Sequence, residues 1–317
     1  MKNALYTRVI IGALFAAVAA GTWDVWWHGA LGRESFWSPP HLFLYTAVIV
    51  SIGTGAYAWY TLREKVWKRV AIALAFIPLS APLDELWHRL FGVENIASPV
   101  IVWSPPHLLL IFGILGSLLV LLPILRRDEN REAAHVFGSM ALGASITLLS
   151  FVMSPLEPTG PHQLLGFFGA GFFGAVLASV LLIARQWAHG FAGATMAAVF
   201  FVVLSSLQFG EQIAPGVQVP PHDHAPSWLL VFAALIPAAV SDFFGRKLYP
   251  WVEGAVIGLL WSFLLYRFAT YFFEPQFQYS FANAFVAIGA STVGGIGAGA
   301  VVGLWYPNRH AREAQNA

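Results

Sequence analysis

Asp24, His28 and His41 bring one carboxylate and two imidazoles into a short stretch of an otherwise apolar chain, and Asp84, His88 and His107 do the same sixty residues on. Residues 24–41 read DVWWHGALGRESFWSPPH and residues 84–107 read DELWHRLFGVENIASPVIVWSPPH. Each copy is Asp-x-x-Trp-His, a loop, then Trp-Ser-Pro-Pro-His. Two imidazoles and a carboxylate make a three-donor set that leaves coordination positions open, the pattern of metal sites that do chemistry. Without thiolate, such donors take copper, zinc, non-haem iron or nickel, and Cu(II) binds tightest in the general order. The chain has no cysteine, which excludes disulfides, thiolate metal sites and cysteine nucleophiles.

The spacing says which elements must hold these groups. Asp24 and His28, like Asp84 and His88, are four apart, so a helix puts each pair on one face. Ser-Pro-Pro-His reads as a helix start, with Ser38 or Ser104 as cap, two prolines in the first turn and His41 or His107 just after them. A helix N-terminus disfavours a cationic imidazole, and metals bind the neutral ring. The plainer alternatives are an Asp–His hydrogen bond within one helix and a Pro-Pro device that merely starts the next. Trp23, Trp26, Trp27, Trp37, Trp87 and Trp103 read as an interfacial aromatic belt.

Weaker echoes follow. Glu157 precedes Gly160-Pro161-His162, and Glu211 precedes Pro220-Pro221-His222-Asp223-His224. Glu157, His162, Glu211, His222 and His224 are candidates for additional metal or proton-handling groups. His135, His189 and His310 fall at the opposite ends of their segments and read as solvated.

Of the 317 residues, 58% are hydrophobic and 10% charged, with a mean hydropathy of +0.67. A soluble domain carries about 25% charged residues. The composition is that of an integral membrane protein in contact with the lipid bilayer over one domain, residues 1–317. Ten apolar stretches approach the roughly 20 residues that cross a bilayer, near 5–31, 39–61, 66–91, 105–125, 134–154, 161–184, 188–210, 226–244, 249–273 and 280–305. Spans this apolar must be helices, because the bilayer has no water to satisfy free backbone groups. The expected fold is therefore all-α, a polytopic bundle of about ten transmembrane helices.

The first stretch, with Lys2, Arg8 and small residues at Ala19, Ala20 and Gly21, also has signal-peptide traits. Its apolar run continues to Leu31, which suits a retained helix. The motifs make the bundle a series of two-helix hairpins, about 5–61, 66–125, 134–184 and 188–244, with an extra hairpin at 249–305. Parallel duplication of this kind occurs in membrane folds. Gly295, Gly299 and Gly303 have the spacing of close helix packing.

Alternating spans put fourteen of the seventeen Lys and Arg residues on one side, leaving Arg33, Arg89 and Arg267 on the other. The positive-inside rule then makes both termini cytoplasmic and sets both Asp/His motifs at the outer face of a bacterial or archaeal plasma membrane. The net charge of +1 and the lack of a basic stripe argue against nucleic acid as a partner.

The first motif resembles the metal-binding stretch of the C subunit of copper-dependent membrane monooxygenases, the family of the particulate methane and ammonia enzymes. That stretch is Asp-x3-His-x12-His, with Trp before the first His, Arg-acid in the loop, Pro two residues before the second His and an apolar-aromatic run after it. Here Asp24, Trp27, His28, Arg33-Glu34, Pro39, His41 and Leu42-Phe43-Leu44-Tyr45 occupy those places over about 22 residues. The resemblance implies that Asp24, His28 and His41 are copper ligands and, by internal repeat, that Asp84, His88 and His107 are a second set. The second copy departs in having eighteen residues between its histidines and no matching Arg in the loop. The resemblance also implies partners: other membrane subunits and a periplasmic copper protein.

The sequence therefore points to a membrane metal protein, with copper the expected metal and zinc or non-haem iron the alternatives. It would serve as one subunit of a complex that oxidises a small apolar substrate with O₂. A metal transporter or metal-handling protein is the competing class. It calls for polar residues carried across the membrane, and spans 1–4 have few. Asp242 and Glu253, beside Arg246 and Lys247, read as a solvated cytoplasmic loop. Bis-histidine haem binding fits poorly, since these histidines sit at helix ends beside carboxylates.

Overall fold

The computed structural model of the chain describes residues 2–31, 37–91, 103–153, 163–187, 192–207, 227–269 and 281–305. Among them every regular element is helical and no strand occurs. The helices are α1 (Lys2–Leu31), α2 (Pro39–Leu62), α3 (Lys65–Phe91), α4 (Pro105–Leu125), α5 (Arg131–Met153), α6 (Gln163–Trp187), α7 (Gly193–Ser206), α8 (Ser227–Phe244), α9 (Pro250–Ser262) and α10 (Phe281–Trp305). A π-helical turn, Phe263–Ala269, prolongs α9.

Seven of these, α1 to α6 and α10, are long and apolar enough to cross a membrane, which is consistent with an integral membrane protein. The other three coincide with expected spans but are shorter in their described parts. The 14 residues of α7 rise about 21 Å, against the roughly 30 Å of a hydrocarbon core. Exposed Ile49, Ile72, Phe76, Leu79, Leu83 and Leu90 give α2 and α3 apolar outer faces suited to lipid.

Buried hydroxyls in these helices satisfy themselves locally. Thr7, Ser51, Ser117, Ser145 and Ser262 each donate to the carbonyl four residues back, at 2.6–2.9 Å. This is the usual resource of Ser and Thr where no water is available.

The chain divides into two compact units, Met1–Val152 with Val203–His222, and Met153–Val202 with Asp223–Ala317. In the first, α1 packs on α2 and α4, and α3 packs on α2 and α4, so four helices close into a ring. Its core includes Ile10, Leu14, Trp67, Leu74, Leu118 and Leu121. At the end where α1 begins, Arg8 donates to Asp128 through Nε (2.8 Å) and Nη2 (2.5 Å). Trp67 Nε1 donates to Asn3 Oδ1 at 2.9 Å, tying the start of α3 to α1.

In the second unit, α10 packs on α6 and α9, and α8 packs on α6 and α9. Glycine faces make this possible. A Cβ on Gly254 would strike the carbonyl of Gly295, one on Gly295 the carbonyl of Gly254, and one on Gly299 the carbonyl of Pro250. Ser291 Oγ donates across the same seam to the Gly258 carbonyl at 3.0 Å. The Gly-x-x-x-Gly run of α10 is the packing surface that its spacing predicts.

Candidate functional site

The two Asp/His motifs both lie in the first unit, each where one helix ends and the next begins. Asp24 and His28 ride on the last two turns of α1, and Asp84 and His88 on the last two turns of α3. Ser38 and Ser104 are the residues before α2 and α4, with Pro at the first two helical positions and His41 or His107 third. Both serines have extended backbones, φ −58° and ψ 152° at Ser38, φ −60° and ψ 143° at Ser104, as a following proline requires. Each serine carbonyl accepts the first helical hydrogen bond, from Leu42 N and Leu108 N, both at 3.0 Å.

The capping expectation is met in position and corrected in detail. Neither serine hydroxyl makes a cap hydrogen bond. A cap side chain accepts from the N–H of the second or third helical residue, and here the second is proline, which has none.

Carboxylate and imidazole meet in both copies. His41 Nε2 lies 3.2 Å from Asp24 Oδ1, joining α2 to α1. In the second copy Asp84 stands between two imidazoles. Its Oδ2 is 3.5 Å from His88 Nδ1, one turn on in the same helix, and its Oδ1 is 3.5 Å from His107 Nε2 on α4. Asp84 Oδ1 is shielded from solvent yet accepts no hydrogen bond. These groups are partly to mostly buried, with His88 10% and Asp84 27% exposed. The structure thus brings together Asp24 with His41, and Asp84 with His88 and His107. Of His28 only the backbone is described.

Aromatic rings wall the pairs. Tyr45, one turn after His41, stacks on its imidazole with centroids 5.9 Å apart. Trp37 meets Tyr45 edge-on, and Trp27 meets both Trp23 and Trp26. Trp37 and Trp103 are exposed, in keeping with an interfacial belt, but Trp26 is buried. Trp26 is thus an internal residue rather than part of the belt. Trp103 Nε1 donates to the Val152 carbonyl at 2.8 Å.

Among the described residues, no group of three or more His, Asp and Glu side chains is arranged so that it could hold a metal ion as it stands. The imidazole nitrogens face the carboxylate oxygens themselves. The donor types that copper or zinc takes are present at each hairpin end, and the oxygen of Asp84 without a hydrogen bond is open to a further partner. Glu157, His162, Glu211, His222 and His224 lie outside the described residues, as do Arg33 and Glu34.

The second unit holds a polar cluster that the sequence reading missed. Glu253, read above as part of a solvated loop, sits in the first turn of α9 and is 1% exposed. Arg185, near the end of α6, donates to it through Nε (2.7 Å) and Nη2 (2.6 Å), and Ser241 of α8 donates at 2.5 Å. Asp242 is no loop residue either. Its carboxylate accepts from the backbone N–H of Ala194 (3.1 Å) and Thr195 (2.8 Å), and from the Thr195 hydroxyl (2.7 Å), at the start of α7. The signal was available: a lone Arg and a lone Glu in apolar runs of opposite ends invite pairing.

Compared with known protein families, curated proteins and solved structures, the chain matches none.

Proposed function

We propose that this chain is a metal-binding membrane protein, most simply a copper protein, with one site at the open end of each of its first two helical hairpins. Asp24, His28 and His41 would hold one ion, and Asp84, His88 and His107 the other. The observation that carries the reading is Asp84, whose two carboxylate oxygens each face an imidazole nitrogen at 3.5 Å, one from its own helix and one from the next. Ligand atoms about 2.0–2.2 Å from one tetrahedral ion stand about 3.3–3.6 Å apart, and neighbouring ligands of a tetragonal Cu(II) about 3 Å apart. The observed separations have that scale and exceed the usual length of a hydrogen bond. Bound there, copper would supply redox chemistry with O₂. The chain's own part is to orient the donors from two helix ends and to exclude water with Trp23, Trp26, Trp27 and Tyr45.

The wider reading keeps the resemblance to the copper-dependent membrane monooxygenases. The chain would be one subunit of about ten transmembrane helices in repeated hairpins, both termini cytoplasmic, with the sites at the outer face of a bacterial or archaeal plasma membrane. Other membrane subunits and a periplasmic copper protein would complete it, and a small apolar substrate would arrive through lipid. The remaining candidates, Glu157, His162, Glu211, His222 and His224, would serve as further metal or proton-handling groups.

Elemental analysis tests the core of this. The full-length protein is purified without chelators beside a variant carrying Asp24→Ala, His28→Ala, His41→Ala, Asp84→Ala, His88→Ala and His107→Ala. Copper in the wild type and none in a folded variant supports the reading. No metal in either after copper loading sinks it, and leaves the Asp and His side chains as polar groups at helix ends.

A further inference from the structure

Ser38 and Ser104 open the two Pro-Pro-His helices, each is 5% exposed, and among the described residues the hydroxyl of each has no hydrogen-bond partner. A buried hydroxyl without a partner costs free energy, and native structures rarely keep one without a reason. The local structure closes most of the usual outlets for these two hydroxyls. Hydroxyls such as Ser51 and Ser117 fold back onto the carbonyl one turn earlier. Ser38 and Ser104 stand before the first turn of α2 and α4, so their own helices offer no carbonyl one turn earlier. The ordinary outlet for a residue in this place is the amide of the second or third helical residue; proline removes the second, and the third, the amide of His41 or His107, makes no bond to the hydroxyl.

The same pair of serines is left this way in both copies, although the loops before them differ in length by six residues. Each serine stands three residues before the site imidazole of its own helix, His41 or His107. In the second copy the carboxylate facing His107 has its own unsatisfied oxygen, Asp84 Oδ1. A donor-acceptor hydroxyl and a carboxylate oxygen, both shielded and both open at the same hairpin end, are the partners that a buried water needs.

We propose that Ser38 and Ser104 belong to the two sites, each hydroxyl hydrogen-bonding a water molecule bound with the metal. This rests on the metal-binding reading above. The serines are positioning residues: they orient the non-protein ligand that fills an open coordination place, while Asp and His hold the ion. Partners of this kind tune metal affinity by about 10–100-fold.

The test titrates Cu(II) alone into full-length protein stripped of metal, for the wild type, Ser38→Ala, Ser104→Ala, the double variant and Ser51→Ala. Ser51 is equally buried, but its hydroxyl is satisfied within its helix, so its variant controls for lost volume. Ser104→Ala is expected to weaken copper binding at one of two sites about 10–100-fold and to change that site's Cu(II) paramagnetic resonance spectrum. The melting temperature of the metal-free variant should hold or rise, since an unsatisfied hydroxyl has been removed. The double variant should weaken both sites, and Ser51→Ala neither. Copper binding equal to wild type in the double variant overturns the proposal and leaves the metal-binding reading standing. So does a fall in metal-free melting temperature with affinity unchanged, which would mark a purely structural bond. A wild type that binds no copper overturns both.

Discussion

Arg185 and Glu253 face each other in the second unit through two parallel hydrogen bonds, Nε to Oε1 at 2.7 Å and Nη2 to Oε2 at 2.6 Å, with side chains 7% and 1% exposed. Sixty-eight residues separate them in the chain, so the pair pins the end of α6 to the start of α9. Ser241 adds a bond from α8. Removing one partner leaves the other charge buried and alone, which costs about 3–5 kcal/mol. Arg185→Met and Glu253→Leu are each expected to lower thermal stability sharply. The double variant should recover most of the loss, because an apolar pair of similar volume replaces a paired charge at little cost. Melting of the four proteins in detergent checks this, and additive losses in the double variant would contradict it.

Asp242 closes the start of α7 from another helix. Its carboxylate takes two backbone amides and the Thr195 hydroxyl, and a negative charge at a helix N-terminus is favourable in itself. Asp242→Ala is expected to cost about 1–2 kcal/mol and to speed amide hydrogen exchange in the first turn of α7. Thr195→Val should cost less, since both amides keep their acceptor. Equal losses in the two variants would show that the hydroxyl bond matters more than the amides.

The seam between α9 and α10 leaves no room for side chains. Gly254 and Gly295 each present a backbone that the other's Cβ would strike. Gly254→Leu and Gly295→Leu are expected to destabilise by about 1–3 kcal/mol or more as the backbones are forced apart. Gly289 and Gly297 have open space where a Cβ would go, so Gly289→Ala and Gly297→Ala should be neutral or slightly stabilising through helix propensity. Thermal melting separates the two groups.

The carboxylate–imidazole contacts run within each hairpin, Asp24 to His41 and Asp84 to His88 and His107. Two independent metal sites are therefore expected. His41→Ala should remove one of two copper equivalents and His107→Ala the other, each leaving the remaining site's spectrum intact. If either change empties the protein of copper, the hairpins share one centre.

How much was legible from the sequence differs from residue to residue. The repeated Ser-Pro-Pro-His strings locate the starts of α2 and α4, because proline fits the first helical turn, where its missing N–H is not needed. The spacing of Asp84 and His88 places them together, because four residues make about one helical turn. The long unbroken apolar runs dictate helices, because in lipid only helices and closed barrels satisfy the backbone, and barrel strands alternate apolar with polar residues. The Gly-x-x-x-Gly run of α10 announces close packing by the same local logic.

Tertiary structure decided what depends on residues distant in the chain. Which imidazole from the following helix meets Asp84, and which oxygen it faces, follow from how α3 and α4 pack. The same holds for Arg185 and Glu253: each looks like a stray charge near a helix end, and only the docking of α6, α8 and α9 removes both from solvent and forces them together. Periodicity and capping are local properties of a chain, readable from neighbours. Desolvation is not, because whether a charge or hydroxyl keeps its water is set by segments far away in sequence.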